Sequence, residues 1–390
     1  MKLVMLSNLL TPHQLPLAQE LFKTLDKDFI FIETMERHSS LPIGWCLGER
    51  DFSFLRTWED FQANRNDCED IISEADVVVF GSAPEQLLQK RKEERKLTFR
   101  YSERALKKGA EPLKYIPRQI RWRLKNPRRV PMYLLCASAY ASADFAKFGT
   151  FKNRAFKWGY FPATYEYDID ALMAKKESRT ITWAARMIDW KHPELAVEMA
   201  RRLQADGIDF TLNMIGFGAM ETDVRESVKA LGLEGPVKLL GAMTPEEVRA
   251  YMEKSAVFLM TSDRQEGWGA VLNEAQNSAC AVLANSATGA APYLIRDGEN
   301  GFLYSEKYLD DMYAKLKLLL LDGEKREALG RAAYRSIHEH WNAENAAKRF
   351  LALAEHLLSG GDGLRLFSDG IGSPAEHYRD GWYTPKGEIL

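Results

Sequence analysis

The chain has 390 residues, of which 46% are hydrophobic and 28% charged, and a formal net charge of −2. That length exceeds one ordinary core and fits two domains of roughly 150 to 200 residues each. The composition excludes a low-complexity or disordered chain. No apolar run approaches the roughly 20 residues that a membrane-crossing helix needs, so none is expected.

The first element is Lys2 to Leu6, too short an apolar run for a secretory signal; it reads as a first strand. The loop after it holds His13, a candidate to reach a donor or acceptor. Phe29 to Glu33 is the second strand, followed by Arg37 and His38, candidates for an acceptor site. Asp76 to Phe80 and Met132 to Ser138 are further short apolar runs, separated by helix-length segments as in a buried parallel sheet. Between them lies the main charge asymmetry. Residues 90–129 hold sixteen Lys or Arg against four Glu, an excess of +12 that leaves −14 for the remainder. Phe99, Tyr101, Tyr115 and Trp122 interleave with these charges. Two readings fit: a surface for anionic lipid headgroups, with rings at the interface, or a solvated helical face. Nucleic acid is not expected, because no recognised binding motif accompanies the charge.

Residues 159–168 lack periodicity and read as a linker. A second strand series follows at Thr180 to Ala185, Phe210 to Ile215, Val237 to Leu240, Val257 to Met260 and Ala281 to Ala284. Helical patterns at Leu309 to Leu321, Lys325 to Glu339 and Ala343 to Leu358 complete the periodic part, and the composition of the tail 359–390 shifts to Gly, Asp, Pro and aromatics. The expected fold class is α/β, with two Rossmann-like domains of mainly parallel sheets facing a cleft. The expected bounds are 1–165, with the helix near 341–358 packing back on it, then 166–340, then the tail. Cys46, Cys68, Cys136 and Cys280 are scattered, so neither a disulfide framework nor a zinc site is expected, and a reducing cytoplasm fits.

Two loops of the second series carry chemistry. Arg186 and Lys191 leave the loop after its first strand, with Pro193 placed as the first residue of the next helix. A fork-shaped guanidinium and a compact ammonium at the carboxyl edge of a parallel sheet suit a diphosphate. The other loop is Glu266-Gly267-Trp268-Gly269, between a strand and a helix pattern that contains Glu274. Backbone N–H groups at a helix start favour an anion. Carboxylates beside them suit the hydroxyls of a diol. Phosphate and diol together describe a nucleotide sugar.

In this order the residues resemble family 4 of the glycosyltransferases, retaining enzymes of the two-domain GT-B fold. Arg186 and Lys191 match the family's Arg, four residues, Lys. Gly216-Phe217-Gly218 resembles its glycine loop, and Val237 to Gly241 followed by Thr244 to Val248 resembles the strand and helix beside the base. Glu266, seven residues, Glu274 matches its acid pair, and Asp297 to Gly301 a downstream turn. The resemblance covers roughly Thr180 to Phe302. It implies that Arg186 and Lys191 hold the donor diphosphate, Glu274 the ribose and Glu266 the hydroxyls of the transferred sugar. It further implies donor contacts from Gly216, Gly218, Leu240, Met243, Gly267 and the backbone of Trp268, Gly269 and Ala270. Front-face retention follows from it, with the leaving phosphate deprotonating the acceptor and Glu266 orienting rather than attacking. Asn8 to Gln14 stands where the family often has a glycine pair, and Tyr293 where it often has Glu.

The function this implies is transfer of a sugar from a nucleoside-diphosphate sugar, UDP favoured, to a glycan or lipid-linked glycan in surface polysaccharide synthesis. The expected setting is the cytoplasm, at the inner face of the membrane through residues 90–129. No cofactor and no essential metal are expected; Asp168 and Asp170 sit in the linker, and His338 and His340 lack helical zinc spacing. A sugar-nucleotide epimerase, a phosphorylase or a non-catalytic nucleotide-sugar-binding protein are the alternatives.

Overall fold

A computed structural model describes residues 1–37, 50–109 and 112–385, with residues 112–114 given by backbone alone. His38 and Cys46 lie outside the described residues. The chain divides into two compact units, Met1–Ala163 with Trp341–Arg379, and Thr164–His340 with Asp380–Leu390.

The first unit is built on seven strands: β1 (Leu3–Ser7), β2 (Phe29–Glu33), β3 (Leu55–Arg56), β4 (Val77–Phe80), β5 (Thr98–Ser102), β6 (Met132–Cys136) and β7 (Ala155–Lys157). Their order is β3-β2-β1-β4-β5-β6-β7, and every pairing is parallel. Strands such as β1 and β4 are buried along their whole length, as expected where helices cover both faces. The chain builds outward from β1 through β2 to β3, then returns to lay β4 on the other side of β1. That reversal is a topological switch point, and His13 follows it in the loop after β1. The helix Ala343–Leu358 packs on the helix Leu15–Leu25, and Phe350 sets its ring edge-on to Phe99 and Trp158 at 5.0 and 5.7 Å.

Strand β5 lies inside the basic segment, and this changes what the charges do. Arg91, 1% exposed, donates to the carbonyls of Ala75 at 2.6 Å and Leu97 at 2.5 Å. Arg100 donates to Asn126 at 2.8 Å and forms an ion pair with Glu85 at 2.8 Å, and Arg104 pairs with buried Asp144. A guanidinium has five donors in a planar fork, so it satisfies several buried acceptors at once and pins chain segments together. Residues 90–129 are therefore not one continuous outward-facing basic surface; part of the charge is internal structure.

The second unit has six strands: β8 (Glu177–Ala184), β9 (Thr211–Ile215), β10 (Val237–Gly241), β11 (Ser255–Met260), β12 (Ala281–Asn285) and β13 (Phe302–Tyr304). Their order is β10-β9-β8-β11-β12-β13, all parallel. Here the switch point falls between β8 and β11. Trp183, Met214, Leu259 and Leu283 fill the core beneath the covering helices. Asp168, read as linker, caps the helix Ile169–Ala174 by accepting from the N–H groups of Asp170 and Ala171. The helix Gly323–Arg335 passes into one π turn at Ser336–His340. In the tail, the Tyr383 hydroxyl meets Lys315 at 2.6 Å and Asp297 at 3.0 Å. Among the described residues, no helix is long and apolar enough to cross a membrane.

Candidate functional site

The loops after β8 and β11 meet at the switch point of the second unit. After β8 the chain stays extended, so the N–H of Ala185 reaches the Ile215 carbonyl at 3.0 Å and that of Met187 the Phe217 carbonyl at 2.8 Å. This lays the loop of Arg186 directly on Gly216 and Gly218. Gly216 has φ 133°, and a Cβ there would strike the carbonyl of Ala185. Only glycine allows that approach. Arg186 is exposed, with its guanidinium 5.5 Å from the centroid of the Trp190 ring. Leu240 and Met243, at and beyond the end of β10, are half-buried.

Lys191 ends one 3-10 turn, Asp189–Lys191, and His192 takes a left-handed conformation that turns the chain into the helix Pro193–Ala205. The ammonium of Lys191 hydrogen-bonds the carboxylate of Glu266, and the two side chains are 13% and 15% exposed. Three further ties hold the loops in register. Thr261 Oγ1 donates to the Lys191 carbonyl at 2.5 Å while accepting from the indole of buried Trp183 at 2.7 Å. The Asp263 N–H donates to the Trp190 carbonyl at 2.9 Å. His192 lies between Asp263, 3.5 Å from Nε2, and Glu194, 2.7 Å from Nδ1. The carboxylates of Asp263 and then Glu194 raise its imidazole to about 10, so it is a cation at neutral pH. The two loops are thus held together by charge, by one backbone hydrogen bond and by the Thr261 hydroxyl.

Past Glu266 the chain turns through Gly267 to Gly269 into the helix Val271–Asn277. Gly269 has φ 93°, and a Cβ there would collide with the methyl of Met260. Trp268 is fully buried, its indole bonded to Asn273 at 2.9 Å and its ring tilted against Tyr293. Its side chain is thus a packing anchor, and the carbonyls of Trp268, Gly269 and Ala270 accept from the N–H groups of Ala290, Leu272 and Glu274, which fixes the turn at the helix start. Glu274 sits in the first turn of that helix. Burial raises its carboxyl to about 7, against the pull of the Arg249 charge. Arg249, on the helix Pro245–Lys254, stacks 3.8 Å from the centroid of Tyr165, and its Nη1 is a buried donor without a hydrogen-bond partner among the described residues.

The structure therefore brings Lys191 and Glu266 into contact, with Gly216 and Gly218 against the loop of Arg186. Thr261, Asp263, His192 and Arg249 were missed by sequence reasoning. The available signal was a histidine and an acid flanking the two loops already singled out. His13 belongs to the first unit: its ring stacks on Tyr160 at 6.0 Å, burial lowers its pKa, and Tyr160 donates to Glu103 at 2.7 Å. Among the described residues no cluster of His, Cys, Asp and Glu could hold a metal ion.

Residues 166–336, most of the second unit, match the family model described as glycosyl transferases group 1. The amylovoran biosynthesis glycosyltransferase AmsK of Erwinia amylovora is 30% identical over 127 residues, 31% of this chain and 31% of that protein. The matches to the first curated relatives span less than half of those relatives' length. By structure, the chain is similar to the Anabaena protein HepE in complex with UDP, with a TM-score of 0.63 at 16% identity over 92% of this chain and 100% of that one. It is also similar to the lipopolysaccharide outer core galactosyltransferase WaaB, with a TM-score of 0.65 at 14% identity over 92% and 99%. These likenesses show the fold, two parallel-sheet α/β domains of GT-B type.

Proposed function

We propose that this protein is a retaining glycosyltransferase that moves a sugar from a nucleoside-diphosphate sugar, a UDP-sugar by preference, to a glycan or lipid-linked glycan in surface polysaccharide synthesis. The observation that carries the reading is the Lys191–Glu266 pair, fixed at the carboxyl edge of β8 and β11 beside the glycine loop. The match of residues 166–336 to group 1 glycosyl transferases supports it, as do HepE, described with UDP, and WaaB, a galactosyltransferase.

The chemistry follows from the parts. A diphosphate entering between Arg186 and Lys191 offers the ammonium a stronger anionic partner than one carboxylate. Glu266, released, accepts hydroxyls of the sugar and sets the anomeric carbon against the acceptor. When the glycosyl bond breaks, negative charge grows on the departing phosphate, and preplaced cations and N–H dipoles stabilise that state more than the ground state. Retention follows if the acceptor attacks from the leaving-group side, with the departing phosphate taking its proton. Glu274 accepts from the ribose hydroxyls. The leaving group needs no metal where Arg186 and Lys191 supply the positive charge. The acceptor meets the first unit, with His13 in its loop after β1, and the protein works in the cytoplasm at the inner membrane face.

The test is transfer of labelled sugar from UDP-sugars to lipid and glycan fractions, with the anomeric configuration of the product read by NMR. Acceptor-dependent product with the donor's configuration supports the reading. Isomerised donor without acceptor, or a requirement for inorganic phosphate, replaces it with an epimerase or a phosphorylase.

A further inference from the structure

The helix Pro112–Lys125 has two apolar faces, and among the described residues only one of them is packed inside the protein. Trp122 packs edge-on to Phe145 at 4.8 Å and stacks on Phe148, and Tyr115 leans on Phe148 while its hydroxyl donates to the Lys147 carbonyl at 2.7 Å. Gln119 and Arg123 add bonds to the carbonyls of Lys147 and Phe148. That face anchors the helix. On another face Ile116, Ile120 and Leu124 recur at helical spacing and are 64%, 54% and 74% exposed. They line an open groove with Gln86, Gln89 and Arg121. Exposed single apolar residues are ordinary, but three in one stripe on a fixed helix need a covering partner.

Charge selects the partner. Residues 112–129 contain seven Lys or Arg and no Asp or Glu. Arg91, Arg100 and Arg104 are committed to the interior, and Lys92 and Lys125 share Glu85. Arg121, Arg128 and Arg129, by contrast, are exposed. Everything outside residues 90–129 carries −14, so an anionic surface repels the rest of the molecule and admits this part. An aliphatic stripe with arginines beside it matches the two layers of a leaflet: hydrocarbon just below, phosphate headgroups above.

We propose that the helix Pro112–Lys125 docks flat on an anionic lipid surface, with Ile116, Ile120 and Leu124 entering the acyl boundary and Arg121, Arg128 and Arg129 meeting headgroup phosphates. This rests on the membrane-side reading given above and names its contact element. Docking places the first unit against the layer that would carry a lipid-linked acceptor.

Vesicle flotation tests this without any turnover. Wild type should float with phosphatidylcholine vesicles containing phosphatidylglycerol and stay behind with phosphatidylcholine alone. The triple variant Ile116→Ser, Ile120→Ser, Leu124→Ser and the variant Arg121→Glu, Arg128→Glu, Arg129→Glu should each lose at least about tenfold in partitioning. Both change exposed side chains, and unchanged melting with an unchanged response to UDP confirms intact folding and an intact donor site. Wild type that ignores anionic vesicles, or a serine variant that floats as well as wild type, overturns the proposal. A wild-type dimer in sedimentation that the serine variant abolishes also overturns it, and assigns the stripe to a second copy. Loss of flotation with UDP response intact, or the reverse, separates failure of this proposal from failure of the donor reading.

Discussion

Lys191 and Glu266, 75 positions apart in the chain, are joined ammonium to carboxylate on the loops that follow β8 and β11. The two loops are also tied through the backbone, because Thr261 donates to the Lys191 carbonyl and the Asp263 N–H to that of Trp190. On the proposed reading the site is ordered before a ligand arrives, and the ligand has to exchange partners with the pair.

That exchange separates two variants. If Lys191 holds the donor diphosphate as proposed, Lys191→Ala should lower nucleotide affinity at least about tenfold and kcat by about a hundredfold or more. Glu266→Gln leaves the cation and should keep UDP affinity within about threefold, with transfer lost to a similar degree as in the lysine variant. Titration calorimetry and initial rates measure both. Equal loss of UDP binding in the two variants would show that Glu266 serves the nucleotide, not the sugar.

Glu274 makes stability depend on pH. Burial lifts its carboxyl from the ordinary 4.5 to about 7. Between these values the folded form keeps a proton that the unfolded chain has released, so stability falls as pH rises across that window and stays low above it. Glu274→Gln cannot ionise. It should melt higher than wild type at pH 8, by up to about 3 kcal/mol in stability, and level with it at pH 4.5. It should also lose nucleotide affinity. A variant that melts below wild type at pH 8 would contradict the assignment of an uncompensated burial cost.

His192 runs the opposite way. Its imidazole is raised from 6.5 to about 10 by Asp263 and Glu194, so its contribution is complete below 6.5 and is lost as pH rises through about 10. The ring is partly solvated, which reduces the gain to about 1 kcal/mol. His192→Asn keeps a residue that tolerates the left-handed backbone while removing the charge. The expected result is a small fall in melting temperature at pH 7 that shrinks above pH 10, with a higher KM for the donor and little change in kcat. A change confined to kcat would place His192 in the chemistry instead of the loop.

Gly216 and Gly360 form a controlled pair. Both have positive φ, but a Cβ at Gly216 meets the Ala185 carbonyl while one at Gly360 meets nothing within 4 Å. Gly216→Ala should cost at least about 2 kcal/mol and weaken nucleotide binding; Gly360→Ala should cost about 1 kcal/mol and leave binding alone. Chemical denaturation with a UDP titration distinguishes them.

The fold was readable where burial on both faces leaves a continuous apolar run, as in Val77 to Phe80 or Ala281 to Ala284. Strand β5 was not, because Thr98-Phe99-Arg100-Tyr101-Ser102 has an arginine at its centre, and only the later meeting with Glu85 and Asn126 makes its burial tolerable. Periodicity reports solvent preference, and a cation paired across the fold no longer has one. The strand Phe302–Tyr304 was too short to stand out. In the site, Arg186, Lys191, Glu266 and Glu274 could be singled out because their residue types and loop positions carry chemistry. Thr261, Asp263 and His192 offered only their nearness to those loops, since their meaning comes from a contact between two loops that no local spacing encodes. Arg249 was hidden for the same reason: its partners, Tyr165 and Glu274, lie on separate segments. His38 lies outside the described residues.

The most direct measurement is calorimetric titration of UDP into wild type and Lys191→Ala at pH 8. Wild type should show saturable one-site binding without added metal, and the variant, its fold checked by its melting curve, should bind at least about tenfold more weakly. Undiminished UDP binding by a folded Lys191→Ala variant, or no binding by wild type, would contradict the proposed donor site.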